Sequence, residues 1–265
     1  AQAYNGKLLD HDHEEIKETE KEERTTQAKL SIGIIVGLIV VLTIAAVFMS
    51  VKLKNQITAT VMRILRVEGS VELEDHGSKK SILSNIRLSD GNALNTGDDS
   101  FVSVALDEMK IVTLNENSRA EFYKSGKQLR LKLTSGSLFF EVVQKLEDDE
   151  TFEIQTSTML VGVRGTSGYV SADNDENSTV LITDGIVHVI GQNPDTSETK
   201  EADVASARKL TTYLFHDRET DTEIFSLEEV KEEEIPELVL KCLGENPNLL
   251  DKVIEDTGWD EERLN

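Results

Sequence analysis

Cysteine is nearly absent. Cys242 stands alone in 265 residues, so no internal disulfide can form and a disulfide framework is excluded. Basic residues are also scarce, with 28 Lys and Arg against 50 Asp and Glu for a net charge of -22. No cluster of lysine and arginine offsets that balance, so the phosphate backbone of a nucleic acid would be repelled and is excluded as a partner. The histidines, His11, His13, His76, His188 and His216, have no serine, cysteine or carboxylate at motif spacing. There is no nucleophile elbow, no metalloprotease helix and no phosphate loop, so the expectation is a protein that is not an enzyme and carries no cofactor and no metal. His188 sits in IVHVIG, where alternation puts it opposite Val187 and Val189, as a solvent-facing strand residue.

Against these absences stands one long apolar run. LSIGIIVGLIVVLTIAAVFMSV, Leu30 to Val51, holds 22 residues without a charge. As a helix it would extend about 33 Å, enough for a hydrocarbon core of about 30 Å, and it is read as an uncleaved single-pass transmembrane helix. Lys52 and Lys54 are placed to snorkel at one end, while the lysines and arginines on the two sides balance and leave orientation open. Gly33 and Gly37 have the small-xxx-small spacing of a homodimer face. Residues 1–29 are a charged, flexible tail, in which DHDHEE is a solvated acidic segment rather than a metal site.

From residue 61 to 191 short alternating runs recur, among them MRILRVEG, SVELED, FVSVALD, KIVTLNEN, RAEFYK, LRLKLTSG, SLFFEVV, TFEIQT, TVLITDG and IVHVIG. Period-two runs bounded by Gly, Asn, Asp and Ser predict an all-β domain with no long helix. The acidic groups Asp98-Asp99, Glu147 to Glu150 and Asp173 to Glu176 fall at predicted turns and lack calcium-loop spacing. Gly69, Gly136, Gly165 and Gly185 each follow one run and precede another, which marks repeated corners where positive φ or close approach is required.

Residues 192–225 read as a linker with one further strand in ARKLTTYLF, and 226–265 as a helical C-terminal segment. Ser226-Leu-Glu-Glu229 has capping-box form and predicts a helix start. Pro236 either begins a second helix or kinks this one, and after a break at Gly244 and Asn246-Pro247 a further helix carries Leu249, Leu250 and Val253 on one face, closed by Thr257-Gly258. Such short helices need packing on each other, on the β domain or on a partner. Trp259, with Leu249, Leu250 and Val253, is the candidate partner-binding anchor.

The stretch LVGVRGTSGYVS, preceded by FEIQTSTM and followed by TVLITDGIVHV, resembles the FecR domain family. The same pattern runs through VEGSVEL, IRLSDGNALNTGDDSFVSVAL, KIVTLNENSRAEF and LKLTSGSLFFEV, from about Leu65 to Ile190. The resemblance implies an antiparallel β roll or sandwich, held outside the cytoplasmic membrane by one transmembrane helix. It also implies a role in relaying a signal to a cytoplasmic sigma factor. Arg164, Gly165 and Thr166 match the family's VRGT motif. Physically, Gly165 would let the strand turn, Thr166 would bond exposed backbone, and Arg164 would clamp neighbouring strands through acidic partners. The short charged tail departs from the family, whose members carry a helical anti-sigma domain before the span. The expectation is therefore an envelope sensor, scaffold or protein-binding module for an unidentified protein partner, with a sigma-factor regulator and a purely structural envelope protein as alternatives.

Overall fold

The computed structural model describes residues 38–44, 61–83, 85–173, 177–192, 197–213 and 225–264. The chain divides into two units, Ala1–Thr58 and Ala59–Asn265. Of the first, only the exposed helical residues 38–44 (α1) are described. Among the described residues no helix is long and apolar enough to cross a membrane. The rest of the expected span, Gly33 and Gly37 included, lies outside the described residues, as does the tail with His11 and His13.

The second unit is mainly β, and its strands fall into two sheets that share one long strand. Sheet I runs in the order β1 (Arg63–Glu68), β5 (Phe101–Ala105), β6 (Lys110–Leu114), β8 (Gln128–Val142), β11 (Ser167–Asp173), β12 (Asn177–Asp184), β15 (Arg208–Tyr213) and β16 (Phe225–Glu229). Sheet II runs β3 (Ser78–Ser81), β2 (Val71–Asp75), β4 (Asn92–Thr96), β7 (Arg119–Ser125), β8 again, β9 (Thr151–Gln155), β10 (Met159–Val163), β13 (Ile186–Gln192) and β14 (Thr199–Ala205). The named strands pair antiparallel, apart from the parallel pair β8 and β9. Parallel neighbours need a crossover, and the second half of β8 with residues 143–150 supplies it.

Alternation along each strand turns one face of each sheet inward. Val102, Val104, Val112 and Phe140 of sheet I meet Leu73, Leu94, Phe122, Leu131 and Ile154 of sheet II in one buried core. The runs LRLKLTSG and SLFFEVV, read from sequence as two strands, are one. Gly136 bends β8 so that Gln128 to Ser135 pair with β7 in sheet II while Leu138 to Val142 pair with β6 in sheet I.

Each tight crossing between the sheets carries a residue of positive φ: Gly69, Asp99, Asn117, Gly136, Gly165, Gly185 and Ala207. The left-handed backbone swings the chain from one sheet to the other in a residue or two. Glycine is demanded by space as well at Gly136, where a Cβ would lie 2.2 Å from Ser118 Oγ and 2.7 Å from the Asn117 carbonyl.

The C-terminal region departs from the sequence reading in two places. The segment read as a linker contains β14 as well as β15. Ser226 to Glu229, expected to open a helix, belongs to strand β16. Its backbone pairs with β15, Ser226 opposite Thr211, and Arg208 and Lys209 meet Glu229 and Glu228 across the pair. Local capping chemistry loses there to tertiary pairing.

Beyond a 3-10 turn at Glu232–Glu234 come α2 (Glu237–Gly244), α3 (Pro247–Thr257) and α4 (Glu261–Leu264). Asn246 caps α3, its side chain accepting from the Leu249 amide, and Gly258 at φ 71 ends it. These helices close a second core on the outer face of sheet I, where Leu238, Val239, Leu243, Leu249, Leu250, Val253, Trp259 and Leu264 cover Phe139 and Leu181.

Candidate functional site

Trp259, Leu249, Leu250 and Val253, the expected partner anchor, are buried in that second core. The helices hold these side chains against the sheet, so they are correctly read as one apolar face but are not available to a partner. Polar contacts fix the same cap. Lys252 Nζ lies 2.5 Å from Asp184 Oδ2, the Gly185 amide donates to Asp256 Oδ2 at 3.0 Å, and Asn246 Nδ2 donates to both Glu141 oxygens at 3.1 Å. Burial pushes the Asp184 and Glu141 carboxyls above their ordinary range, against the pull of Lys252 and Asn246 respectively. Cys242 lies half-buried under the cap, and burial pushes its thiol up to about 12.

The VRGT stretch is a corner, from β10 into β11. Gly165, at φ 138, lets the Lys145 backbone approach; a Cβ there would be 2.8 Å from Lys145 Cα. Thr166 does not bond backbone through its hydroxyl. It is buried with Oγ1 lacking a hydrogen-bond partner among the described residues, and its methyl fills the space a Gly185 side chain would need. Arg164 is not a clamp. Its side chain is exposed and makes no hydrogen bond or ion pair among the described residues. The corner is held by backbone instead, with the Leu146 amide donating to Arg164 O at 3.0 Å and the Val142 amide to Thr166 O at 3.0 Å.

Gly69 and Gly136 form two equivalent corners. The Ser70 amide donates to Ser100 Oγ at 2.8 Å, and the Ser137 amide to Ser118 Oγ at 2.9 Å. Each serine follows a positive-φ residue, Asp99 or Asn117. The motif glycines are thus spread along the sheet-to-sheet corners and do not gather into one pocket.

What the fold leaves open is the outer face of sheet II. One row crosses six strands in register: Tyr123 on β7, Arg130 on β8, Glu153 on β9, Gly162 on β10, His188 on β13 and Asp203 on β14. Arg130 pairs with Glu153 at 3.0 Å, and His188 Nδ1 lies 2.9 Å from Asp203 Oδ1. The Tyr123 hydroxyl donates to Glu121 Oε2 at 2.6 Å, a bond that raises its pKa. Two depressions lie along the row. One, of about 610 Å³, is lined by Asp90, Tyr123, Arg130, Lys132 and Glu153; the other, of about 500 Å³, by Glu153, Gly162, Arg164, Ile186, His188 and Asp203.

His188 is solvent-facing, as alternation predicted. The rest of the row was hidden in the sequence, because alternation in RAEFYK, LRLKL and TFEIQ marks outward residues without giving register. The β8–β9 pairing that sets Arg130 beside Glu153 is parallel and depends on the crossover. Among the described residues no group of His, Cys, Asp and Glu is arranged to hold a metal ion.

The free edges of sheet II are blunted by charge. β3 is SKKS, exposed throughout, and β14 carries Lys200, Glu201 and Asp203 outward. Charged edge strands resist addition of a further strand, so the open face is a better binding surface than the edges.

Comparison with known proteins gives a family match over the central strands. Residues 92–188 match the family described as FecR protein, from the start of β4 into β13. No curated protein gives a match. Two crystal structures of a candidate anti-sigma factor from Parabacteroides distasonis, at 2.50 Å and 1.65 Å, are similar at 18% identity with a TM-score of 0.42. The likeness covers 52% of this chain and 60% of those chains.

Proposed function

We propose that this chain, whose residues 92–188 match the FecR family, is a non-catalytic regulatory protein that binds a protein partner on the outer face of sheet II. The observation that carries the reading is the row from Tyr123 to Asp203: a broad, open β surface on which Arg130 pairs with Glu153 and the His188 ring contacts Asp203, with depressions on either side of Glu153. A surface of that kind discriminates partners by charge pattern and shape rather than by chemistry on a bound small molecule.

The uncharged run from Leu30 to Val51 supports a single-pass anchor, and Gly33 with Gly37 supports pairing of two such helices. The family resemblance supports an extracytoplasmic β domain at the cytoplasmic membrane. A signal would then cross by association or movement of one helix. The second reading makes the chain a regulator of a cytoplasmic sigma factor. It is favoured by the FecR match over β4 to β13, since relays of that kind are the role the family resemblance implies.

The test compares transcript profiles of cells lacking the chain with cells carrying Arg130→Glu, which breaks the Arg130–Glu153 pair on the face. A regulatory partner surface predicts that the variant, folded and at normal abundance, reproduces the transcript changes of the deletion. A deletion that alters envelope integrity and leaves transcription unchanged would assign a structural role instead.

A further inference from the structure

The glycine at 162 has no structural reason to be glycine. Its φ is not left-handed, and a Cβ built there would meet only the His188 carbonyl oxygen at 3.6 Å, an ordinary contact. Gly168 is different, since a Cβ there would lie 2.6 Å from the Leu181 carbonyl oxygen. A glycine inside a strand weakens it relative to alanine. Where neither conformation nor crowding asks for one, the space it leaves is the feature, and a close-approaching ligand or chain accounts for it. That space opens between Glu153 on β9 and His188 on β13, the two register partners of Gly162.

The charges around the notch select what enters. Glu150 lies 3.6 Å from Lys110 Nζ, Glu153 pairs with Arg130, and Asp203 pairs with His188. Glu150 and Glu153 each have a cation and Asp203 contacts the His188 ring, whereas the Arg164 side chain on the same wall has no ion pair or hydrogen bond among the described residues. Beside it, Ile186 is 60% exposed. The unmatched features are therefore one guanidinium and one aliphatic side chain. A single carboxylate suits the guanidinium, which binds it through two parallel hydrogen bonds. The three nearby carboxylates disfavour a doubly charged phosphate.

We infer that the Gly162 notch receives a segment of a protein partner carrying a carboxylate side chain for Arg164 next to an aliphatic side chain for Ile186. The inference rests on the protein-binding reading of sheet II and gives it a contact point. It also gives Arg164 a role that the corner itself does not require.

The test is titration of the ¹⁵N-labelled full chain in mild detergent with blocked hexapeptides of alternating leucine and aspartate. Matched peptides carry asparagine, lysine or phosphoserine in place of aspartate. The expected result is saturable shifts of the Gly162 amide and the Arg164 Nε, with the asparagine peptide weaker by about tenfold or more. Arg164→Gln should weaken the aspartate peptide by a similar factor. Gly162→Leu should abolish its binding while leaving the rest of the spectrum in place.

Equal binding of the lysine or phosphoserine peptide, undiminished binding to Arg164→Gln, or no shift at millimolar peptide would overturn the inference. Crosslinking of a protein partner from position 132 separates the levels. A discrete adduct there with no peptide effect removes this site and leaves the partner-binding face standing; absence of both removes both.

Discussion

The Oγ of Ser118 accepts a 2.9 Å hydrogen bond from the amide of Ser137, one residue past the corner at Gly136. Ser100 does the same for Ser70 beside Gly69. A turn residue and a serine thus close two successive corners of the sandwich in the same way, and a Cβ at either glycine would strike the serine oxygen. Gly136→Ala is expected to cost about 2 kcal/mol or more, from strain at positive φ plus that clash. Gly126→Ala, also at positive φ but facing open space, should cost about 1–2 kcal/mol. Urea unfolding of the two variants checks the order.

Gly162 should behave in the opposite way. With ordinary backbone and room for a methyl, Gly162→Ala is expected to leave the fold unchanged or stabilise it by about 0.5–1 kcal/mol. A loss of stability in urea unfolding would mean that this glycine serves the fold, contrary to the notch on sheet II.

The Asp184–Lys252 contact predicts an inverted pH response for the cap. Groups facing Asp184 are Lys252 and Asp256; Asn246, Lys252 and Asp184 act on Glu141. Both carboxyls sit above their ordinary values, so the folded chain takes up these protons before the unfolded chain does. Their contribution to stability is complete below the ordinary carboxylate range and is lost as pH rises through the raised values. Asp184→Asn is therefore expected to match or exceed the parent at neutral pH, because Lys252 is half exposed and can return to water, and to lose that advantage on acidification. The stability difference between parent and variant, followed from pH 7 to 4, reads this directly.

Cys242 reports on the cap. A thiol pushed to about 12 by burial carries almost no thiolate at pH 8 and should react slowly with a disulfide reagent. Trp259→Ala removes a large side chain from the second core, at a cost of about 3–5 kcal/mol to the packing of the cap. Thiol labelling in that variant should accelerate by more than about tenfold. An unchanged rate would show that the cap does not depend on Trp259.

Much of the β domain was legible because alternation is local. FVSVALD, KIVTLNEN and IVHVIG each declare a strand and its inward side, and the glycines at 69, 136, 165 and 185 declare corners. What was not legible depends on distant pairing. SLEE has the chemistry of a helix cap, yet β15 claims it as a strand. The C-terminal helices read as packing on each other or on the β domain, with Trp259 as an anchor if a partner took them instead, and only the apolar patch at Phe139 and Leu181 decides for the first. Arg164 stands in the most recognisable motif of the chain, where a clamp was expected. The corner proves to be backbone-held, and the arginine is left facing solvent.

The open row on sheet II is tested most directly by photo-crosslinking in living cells, with a photoreactive residue at position 132 on that face and, separately, at 255 on the outward side of α3. The account predicts one discrete protein adduct from position 132, lost in Arg130→Glu, and none from position 255. Adducts only from position 255, or a position-132 adduct unaffected by Arg130→Glu, would contradict it.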